Sequence, residues 1–380
     1  MKQQKSKLQD VSQGDIHNYD SILKYFNDEP AIQNKKSVYH SITFVTTGII
    51  EFDGGQTTML HLGTLLSQKG YEVYYLSYVP QSQEEMERNA EANYENYQGT
   101  CLSYEHLDTH QSDIWFATLW ESAYVIKNKP GYKMYFVQDY EPYFYPYGDR
   151  YQLAKKSYNL GLHMISLGPW CAKMIEENCP NHGKIDQITF PVDLANYPFK
   201  KRNFDKYESK KTFDLAVYTK WDSPRRAPIN LQMVLKNTER LLEEKDGIRL
   251  RIHYFGSTKD KKFINGENLG KLSKAEMNDL YRKCDFGIAP SMTNFSLVPF
   301  EMMSTGLPFI DFKEGTGKYF IPNEFSFSVA MDEKALVDLF MTVKEHVNYL
   351  KENNDKTQQF LQTIQWTHTL NDFVKIIENI

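Results

Sequence analysis

Short apolar, β-branched runs alternate along this chain with stretches of helical spacing, and that alternation admits few folds. Ser41–Thr47 reads as a strand, followed by Gly48, Gly54 and Gly55. Thr57–Lys69 reads as a helix with Met59, Leu60, Leu62, Leu65 and Leu66 at helical spacing, closed by Gly70. Glu72–Val79 is the next strand. The order strand, glycine loop, helix, strand is a βαβ unit, which requires a parallel sheet. The alternation continues with strands at Asp113–Ala117, Lys133–Val137, His163–Leu167 and Lys184–Phe190, and helices at Tyr151–Asn159 and Pro169–Glu177.

A charged, Pro-containing stretch from Asp193 to Lys211 then reads as a linker. A second series follows. Thr212–Tyr218, Ile248–Phe255, Asp285–Ala289 and Leu307–Phe312 are strands; Ile229–Glu244 and Pro299–Ser304 are helices. Ser273 and Glu276 form a capping box that opens a helix running to Lys283. Lys334–Glu352 and Lys356–Ile380 read as helices, and Ile22–Phe26 as a short one inside a polar leader over 1–36. The fold expected is α/β, in two alternating halves, 1–195 and 196–360, with a helical tail over 361–380.

Composition removes several functions. Lys+Arg 44 against Asp+Glu 49 leaves a net charge of −5, without the basic footprint of a nucleic-acid binder. Aromatic residues at 14 % exclude general disorder. Cys101, Cys171, Cys179 and Cys284 form no Cys-x-x-Cys pair, so they read as reduced thiols with no structural metal. The leader has no apolar signal core, and no apolar run is long enough to cross a bilayer. A cytoplasmic protein is the expectation.

Three constellations carry candidate chemistry. Gly54-Gly55-Gln56-Thr57 lies between a strand and a helix, as a tight turn or as a loop letting a phosphate approach helix amides. Tyr218-Thr-Lys-Trp-Asp-Ser-Pro-Arg-Arg-Ala227 places Lys220, Arg225 and Arg226 after a strand. Strand ends are where open α/β sheets bind ligands, and arginine suits phosphate, though a solvated basic loop has the same look. Ala289 to Pro308 runs from a strand end through a turn to a helix, with Glu301 in its first turn.

These strings resemble the GT-B glycosyltransferases, specifically the large retaining family four. Members carry Pro-Ser, then Glu-x-Phe-Gly-x-x-x-x-Glu, then Ala-x-x-x-Gly-x-Pro. Here the match runs from Pro290-Ser291 to Gly306-x-Pro308, with Phe295 and Glu301 in register. The family's Gly-Arg-x-x-x-x-Arg-Lys-Gly resembles Thr219-Lys220 to Arg225-Arg226-Ala227, and Phe190-Pro-Val-Asp193 sits at its interdomain signature. Leu269 to Asp285, with Leu272, resembles the segment before the last nucleotide-binding strand. The resemblance covers most of residues 41–375 and implies two Rossmann-like domains with parallel sheets facing across a cleft, the tail helix over 361–380 crossing back to the first. Val137-Gln-Asp-Tyr-Glu-Pro-Tyr-Phe-Tyr-Pro146 narrows it to builders of bacterial rhamnan and related surface polysaccharides.

The resemblance implies transfer of a hexose, with L-rhamnose a candidate, from a dTDP- or UDP-sugar to a glycan or lipid-linked glycan, retaining and needing no metal. Lys220, Arg225 and Arg226 would hold the diphosphate, and Glu301 the ribose. Gly54, Gly55, Gly256, Leu272, Thr293, Phe295, Ser296, Leu297 and Val298 would complete the donor site, partly through backbone amides. Gln138 and Asp139 would position acceptor or donor sugar. Tyr143, Phe144 and Tyr145 would stack on the acceptor. A homodimer belongs to the same expectation. So does peripheral contact with an anionic membrane through Lys200–Arg202 and Lys259–Lys262, although a solvated face is the commoner meaning of such clusters.

The departures are specific. The family's first glutamate falls at Thr293, its Phe-Gly at Phe295-Ser296, its first arginine at Lys220 and its N-domain histidine at Gln138. They leave room for a non-catalytic accessory subunit or a GT-B-type nucleotide-sugar epimerase. The incomplete glycine fingerprint argues against a nicotinamide dehydrogenase.

Overall fold

A computed structural model describes Tyr19 and residues 22–380. Most of the expected polar leader therefore lies outside the described residues. The chain divides into two compact units, Met1–Ile188 with Leu370–Ile380, and Thr189–Thr369. These bounds fall a few residues from 195 and 360. Val192 N–H donates to the Ile364 carbonyl at 2.8 Å, and Val192 bridges to Gln365. That pairing ties the linker and residues 364–365 into the second unit.

In the first unit the strands are β1 (Ser41–Thr46), β2 (Glu72–Ser77), β3 (Thr100–Leu102), β4 (Ile114–Ala117), β5 (Tyr132–Val137), β6 (His163–Leu167) and β7 (Ile185–Ile188). They form one sheet in the order β3-β2-β1-β4-β5-β6-β7, every neighbouring pair parallel. The helices are α1 (Gly54–Gln68), α2 (Gln83–Asn93), α3 (Trp120–Ile126), α4 (Asp149–Ser157) and α5 (Pro169–Asn178). β4, β5 and β6 are buried along their whole length, as central parallel strands covered on both faces must be. α1 starts at Gly54, not Thr57, because the Asp53 side chain accepts from Gln56 N–H at 2.9 Å and caps the extra turn.

In the second unit β8 (Thr212–Tyr218), β9 (Arg249–Phe255), β10 (Glu267–Asn268), β11 (Phe286–Ile288), β12 (Phe309–Phe312) and β13 (Phe327–Val329) form a parallel sheet in the order β10-β9-β8-β11-β12-β13. Its helices are α6 (Pro228–Asp246), α7 (Lys274–Lys283), α8 (Val298–Ser304), α9 (Glu333–Glu345) and α10 (Val347–Leu361). α11 (Trp366–Glu378) begins in this unit and ends in the first. Phe213, Phe286 and Phe340 meet edge to face or tilted at the centre of the second core.

Two expected helices are corrected. Lys334–Glu352 is broken at His346, where no glycine or proline marks the break. Lys356–Ile380 is broken at 362–365, where Ile364 and Gln365 leave the helix to pair with Val192. α2, β3, α3, β10 and β13 had no counterpart in the sequence reading. The four cysteines are buried and free. No described helix is long and apolar enough to cross a membrane.

Candidate functional site

Each sheet reverses its winding once, between β1 and β4 in the first unit and between β8 and β11 in the second. At such a reversal the loops diverge to opposite faces and leave a crevice at the carboxyl ends of the strands.

In the second unit the loops leaving β8 and β11 are bound to each other. Met292 N–H donates to the Arg225 carbonyl at 2.9 Å, and the Arg226 guanidinium donates to Ser291 Oγ. The Thr219 hydroxyl closes the first loop on the Arg226 carbonyl at 2.9 Å. Arg226 is 9 % exposed, so its guanidinium is held in place, whereas Lys220 and Arg225 are half-buried. The loop ends at Ala227 with φ 46° and ψ 43°, a left-handed conformation normally left to glycine. Gly256 ends β9 at φ 100°, and a Cβ there would lie 2.6 Å from the Tyr218 ring. Only glycine lets β9 pass that close to the loop carrying Lys220.

Glu301 sits in the first turn of α8. Its Oε2 is buried, and the Tyr197 hydroxyl, buried beside it, is the group placed to donate to the carboxyl. Burial pushes the carboxyl up to about 7; the Lys274 ammonium opposes that rise and the Asp193 carboxylate adds to it. A buried carboxyl with one hydroxyl beside it keeps capacity for further donors, and hydroxyls of a ligand would supply them. Ser296 Oγ is a buried atom without a partner in this loop. Thr293 is buried, and its carbonyl accepts from the Thr316 hydroxyl at 2.5 Å. The Phe295 side chain turns away from the loop. It stacks on Phe320 at 5.3 Å and meets Phe300 edge-on at 5.4 Å, leaving its backbone alone to contact a ligand. Leu297, Val298 and Leu272 are half-buried.

In the first unit the loop between β1 and α1 is clamped by amide side chains. Gln81 exchanges two bonds with the Ile49 backbone, at 2.7 and 2.8 Å. Gln56 accepts from Ile50 N–H at 2.7 Å and donates to the Gly48 carbonyl at 2.9 Å. Asn89 donates to the Ile49 carbonyl at 2.7 Å and Asn93 to that of Ile50 at 2.6 Å. The clamp holds Ile50 and Phe52 outward, 56 % and 64 % exposed, with Phe52 at φ 58°. Gly54 has open space around it. A Cβ on Gly55 would lie 3.3 Å from Asp53 Oδ1 and 3.6 Å from Gln138 Oε1. The structure thus brings Gly55 and Gln138 together. Asp53 occupies the Gln56 amide that an anion would otherwise use.

Asp139 is 7 % exposed, and its Oδ1 accepts from Tyr140 N–H at 2.8 Å. The aromatic run beyond it is largely architecture. Tyr140, Tyr158 and Tyr135 form a stack with spacings of 5.7 and 5.6 Å. Tyr143 is 45 % exposed, while Phe144 and Tyr145 are half-buried. Tyr145 accepts from the Trp120 indole N–H at 3.0 Å, and Arg150 covers its ring at 5.0 Å. Of the three aromatics expected to stack on a ligand, Tyr143 offers the most open ring. Among the described residues no cluster of His, Cys, Asp or Glu could hold a metal ion.

Sequence reasoning overlooked Ser291 as an Arg226 partner, Tyr197 beside Glu301, and the amide clamp. The clamp had a signal in the polar spacing Gln81, Gln56, Asn89 and Asn93; the other two meet their partners only through the fold.

No family model matches the chain. It is 27 % identical over 216 residues, 55 % of its length, to the O-antigen biosynthesis protein RfbC of Myxococcus xanthus, and the match takes in 16 % of that protein. The chain therefore spans a small part of this relative. Among solved structures it is similar to Anabaena HepE in complex with UDP and glucose, with a TM-score of 0.69 and 12 % identity over 90 % of this chain and 100 % of the other. It is also similar to WaaG, a glycosyltransferase involved in lipopolysaccharide biosynthesis, with a TM-score of 0.62 and 12 % identity over 88 % and 99 % of the two chains. At these identities the likeness shows the fold, that of the GT-B glycosyltransferases, with two Rossmann-like parallel-sheet units.

Proposed function

We propose that this chain is a glycosyltransferase that moves a hexose from a UDP- or dTDP-sugar to a glycan or lipid-linked glycan in bacterial surface-polysaccharide synthesis. The observation that carries the reading is the crevice of the second unit. There the buried Glu301 carboxyl, with the Tyr197 hydroxyl beside it, lies one loop away from the fixed Arg226 guanidinium. Hydroxyls for the first and a diphosphate for the second are the two ends of a nucleotide-sugar's nucleoside diphosphate. The structural neighbours support the class, and RfbC supports the setting.

In this reading Glu301 accepts from the ribose hydroxyls. Lys220, Arg225 and Arg226 neutralise the diphosphate as it leaves, which lowers the barrier without a metal. Amides of Ser296, Leu297 and Val298 and the space at Gly256 serve the phosphates and sugar, with Leu272 at the base. Gln138 and Asp139, beside Gly55 and Gly54, orient the reacting sugar, and Tyr143 with Phe144 and Tyr145 faces the acceptor. Retention at the anomeric carbon and L-rhamnose as the sugar rest on the motif resemblance. Thr293 is the observation behind a second reading, a subunit that binds nucleotide sugar without turnover, because no carboxylate stands at that position.

A thermal-shift screen of UDP-, dTDP- and GDP-sugars tests the proposal. A true donor at a hundredfold over Kd should stabilise by about 2.7 kcal/mol. Lys220→Ala should weaken UDP binding about tenfold or more, since it deletes a charged diphosphate contact. No shift with any nucleotide sugar would sink the reading. A shift without transfer to any acceptor would favour the subunit.

A further inference from the structure

The turn that carries Gln138 and Asp139 is held from behind by groups that the site described so far leaves unused. β5 ends at Val137, and a 3₁₀ turn begins at Glu141. Between them the backbone is closed through one phenol. Glu141 N–H donates to the Tyr158 oxygen at 3.1 Å, and the Tyr158 hydroxyl donates to the Asp139 carbonyl at 3.2 Å. The bridge spans Tyr140, whose N–H donates to Asp139 Oδ1 at 2.8 Å. It fixes the peptide on both sides of Tyr140, and with it the direction in which the Asp139 side chain leaves the backbone.

The Glu141 side chain anchors that bridge. It is 2 % exposed; Oε1 accepts from the Tyr135 hydroxyl at 2.7 Å and Oε2 from Trp120 N–H at 2.7 Å. One carboxyl thus ties the turn to β5 and to the first residue of α3, while Tyr158, at the end of α4, ties it to a third element.

Packing alone does not call for these groups. Tyr135, Tyr158 and Tyr140 stack through their ring faces, and a phenylalanine at position 158 would stack as well. A carboxyl is costly here. Burial pushes Glu141 well above the usual carboxylate range, and the Glu121 carboxylate adds to the rise. An apolar side chain would fill the same space at lower cost. What the carboxyl and the phenol supply, and apolar side chains would not, is direction for the backbone of residues 138–141.

We propose that Tyr158, with the Glu141 carboxyl behind it, is a positioning residue that aims Asp139 at the reacting sugar and touches no ligand itself. The proposal rests on the glycosyltransferase reading, in which Gln138 and Asp139 orient that sugar.

Release of nucleoside diphosphate from UDP-glucose, UDP-galactose and dTDP-L-rhamnose, with water as the acceptor, tests it on the full chain. Tyr158→Phe keeps the ring and removes both bonds through its oxygen. On a donor that the wild type turns over, kcat should fall about tenfold or more, with donor KM and the Kd for UDP within about twofold, because a small misplacement costs rate before binding. Glu141→Leu should lose as much. Glu141→Gln, whose amide still accepts from Trp120 N–H and meets the Tyr135 hydroxyl, should recover most of the loss. The deciding readout is a double-mutant cycle with Asp139→Asn. If Tyr158 acts through Asp139, Tyr158→Phe adds no further loss in the Asp139→Asn background, whereas a merely structural role gives losses that multiply. Multiplying losses, or an unchanged kcat in Tyr158→Phe, overturn the proposal and leave the glycosyltransferase reading intact. The Glu141→Leu cycle carries the same test if Tyr158→Phe fails to fold. A wild type that releases nucleoside diphosphate from none of the donors faults the glycosyltransferase reading itself, and the positioning role falls with it.

Discussion

Glu301 and Ala227 show what single residues of the second unit's crevice do. Glu301 titrates near 7 because burial disfavours its charge. A ligand that donates hydroxyls to it favours the charged form, so binding lowers its pKa and expels a proton. UDP should therefore bind more tightly as pH rises toward and through about 7, with fractional proton release near neutrality. Calorimetry in buffers of different ionisation enthalpy reads that proton, and Glu301→Gln should reduce the release to what the terminal phosphate of UDP itself contributes. Proton uptake would contradict the assignment. Ala227 carries a cost of another kind, since a left-handed alanine is strained by ~1–2 kcal/mol. Ala227→Gly should raise unfolding free energy by up to about 1 kcal/mol after glycine's own entropy is subtracted. Denaturant titration checks this, and a clear loss of stability would mean that the backbone is not strained there.

At the scale of elements, the crevice depends on how closely β9 passes the loop after β8. Thr219 N–H donates to the Phe255 carbonyl at 3.0 Å, and Ser257 Oγ bridges the Thr219 carbonyl and Trp221 N–H at 3.1 and 2.8 Å. Gly256 lies between these bonds. Gly256→Ala combines a left-handed backbone with overpacking against Tyr218, together ~2–4 kcal/mol. It should lower the melting temperature and weaken UDP binding together; unchanged binding would separate Gly256 from the loop carrying Lys220. Element legibility followed the same local logic. β6, β8 and the Ser273 capping box were readable because hydrophobic runs and caps are written in neighbouring residues. α2 was not, because its buried face is Met86, Asn89, Ala90 and Asn93, half of it amides whose burial makes sense only once the clamped loop is present. The meeting of the loops after β8 and β11 was legible as motifs at strand ends. The Tyr19–Glu121 hydrogen bond was not, since the two residues are 102 apart in sequence.

For the whole molecule, the consequential element is α11, whose chain begins in one unit and ends in the other. Within the first unit Phe373 is fully buried, tilted against Phe116 at 5.2 Å and edge-on to Phe136 at 6.3 Å. Phe373→Ala should cost about 3–5 kcal/mol by opening a cavity against β4 and β5. Because each unit has its own core, the loss should fall on the first unit. Hydrogen exchange should accelerate in β4 and β5 and stay unchanged in β8 and β9; a uniform acceleration would show that the chain unfolds as one. The amide clamp on the loop between β1 and α1 bears on conditions as much as on shape. Gln56, Gln81, Asn89 and Asn93 carry no titratable proton, whereas burial brings the Glu301 carboxyl up to about 7. Acidification across pH 7 should therefore alter what the second unit's crevice attracts without loosening this clamp, and the change in preference should reverse on returning the buffer, with no hysteresis from refolding.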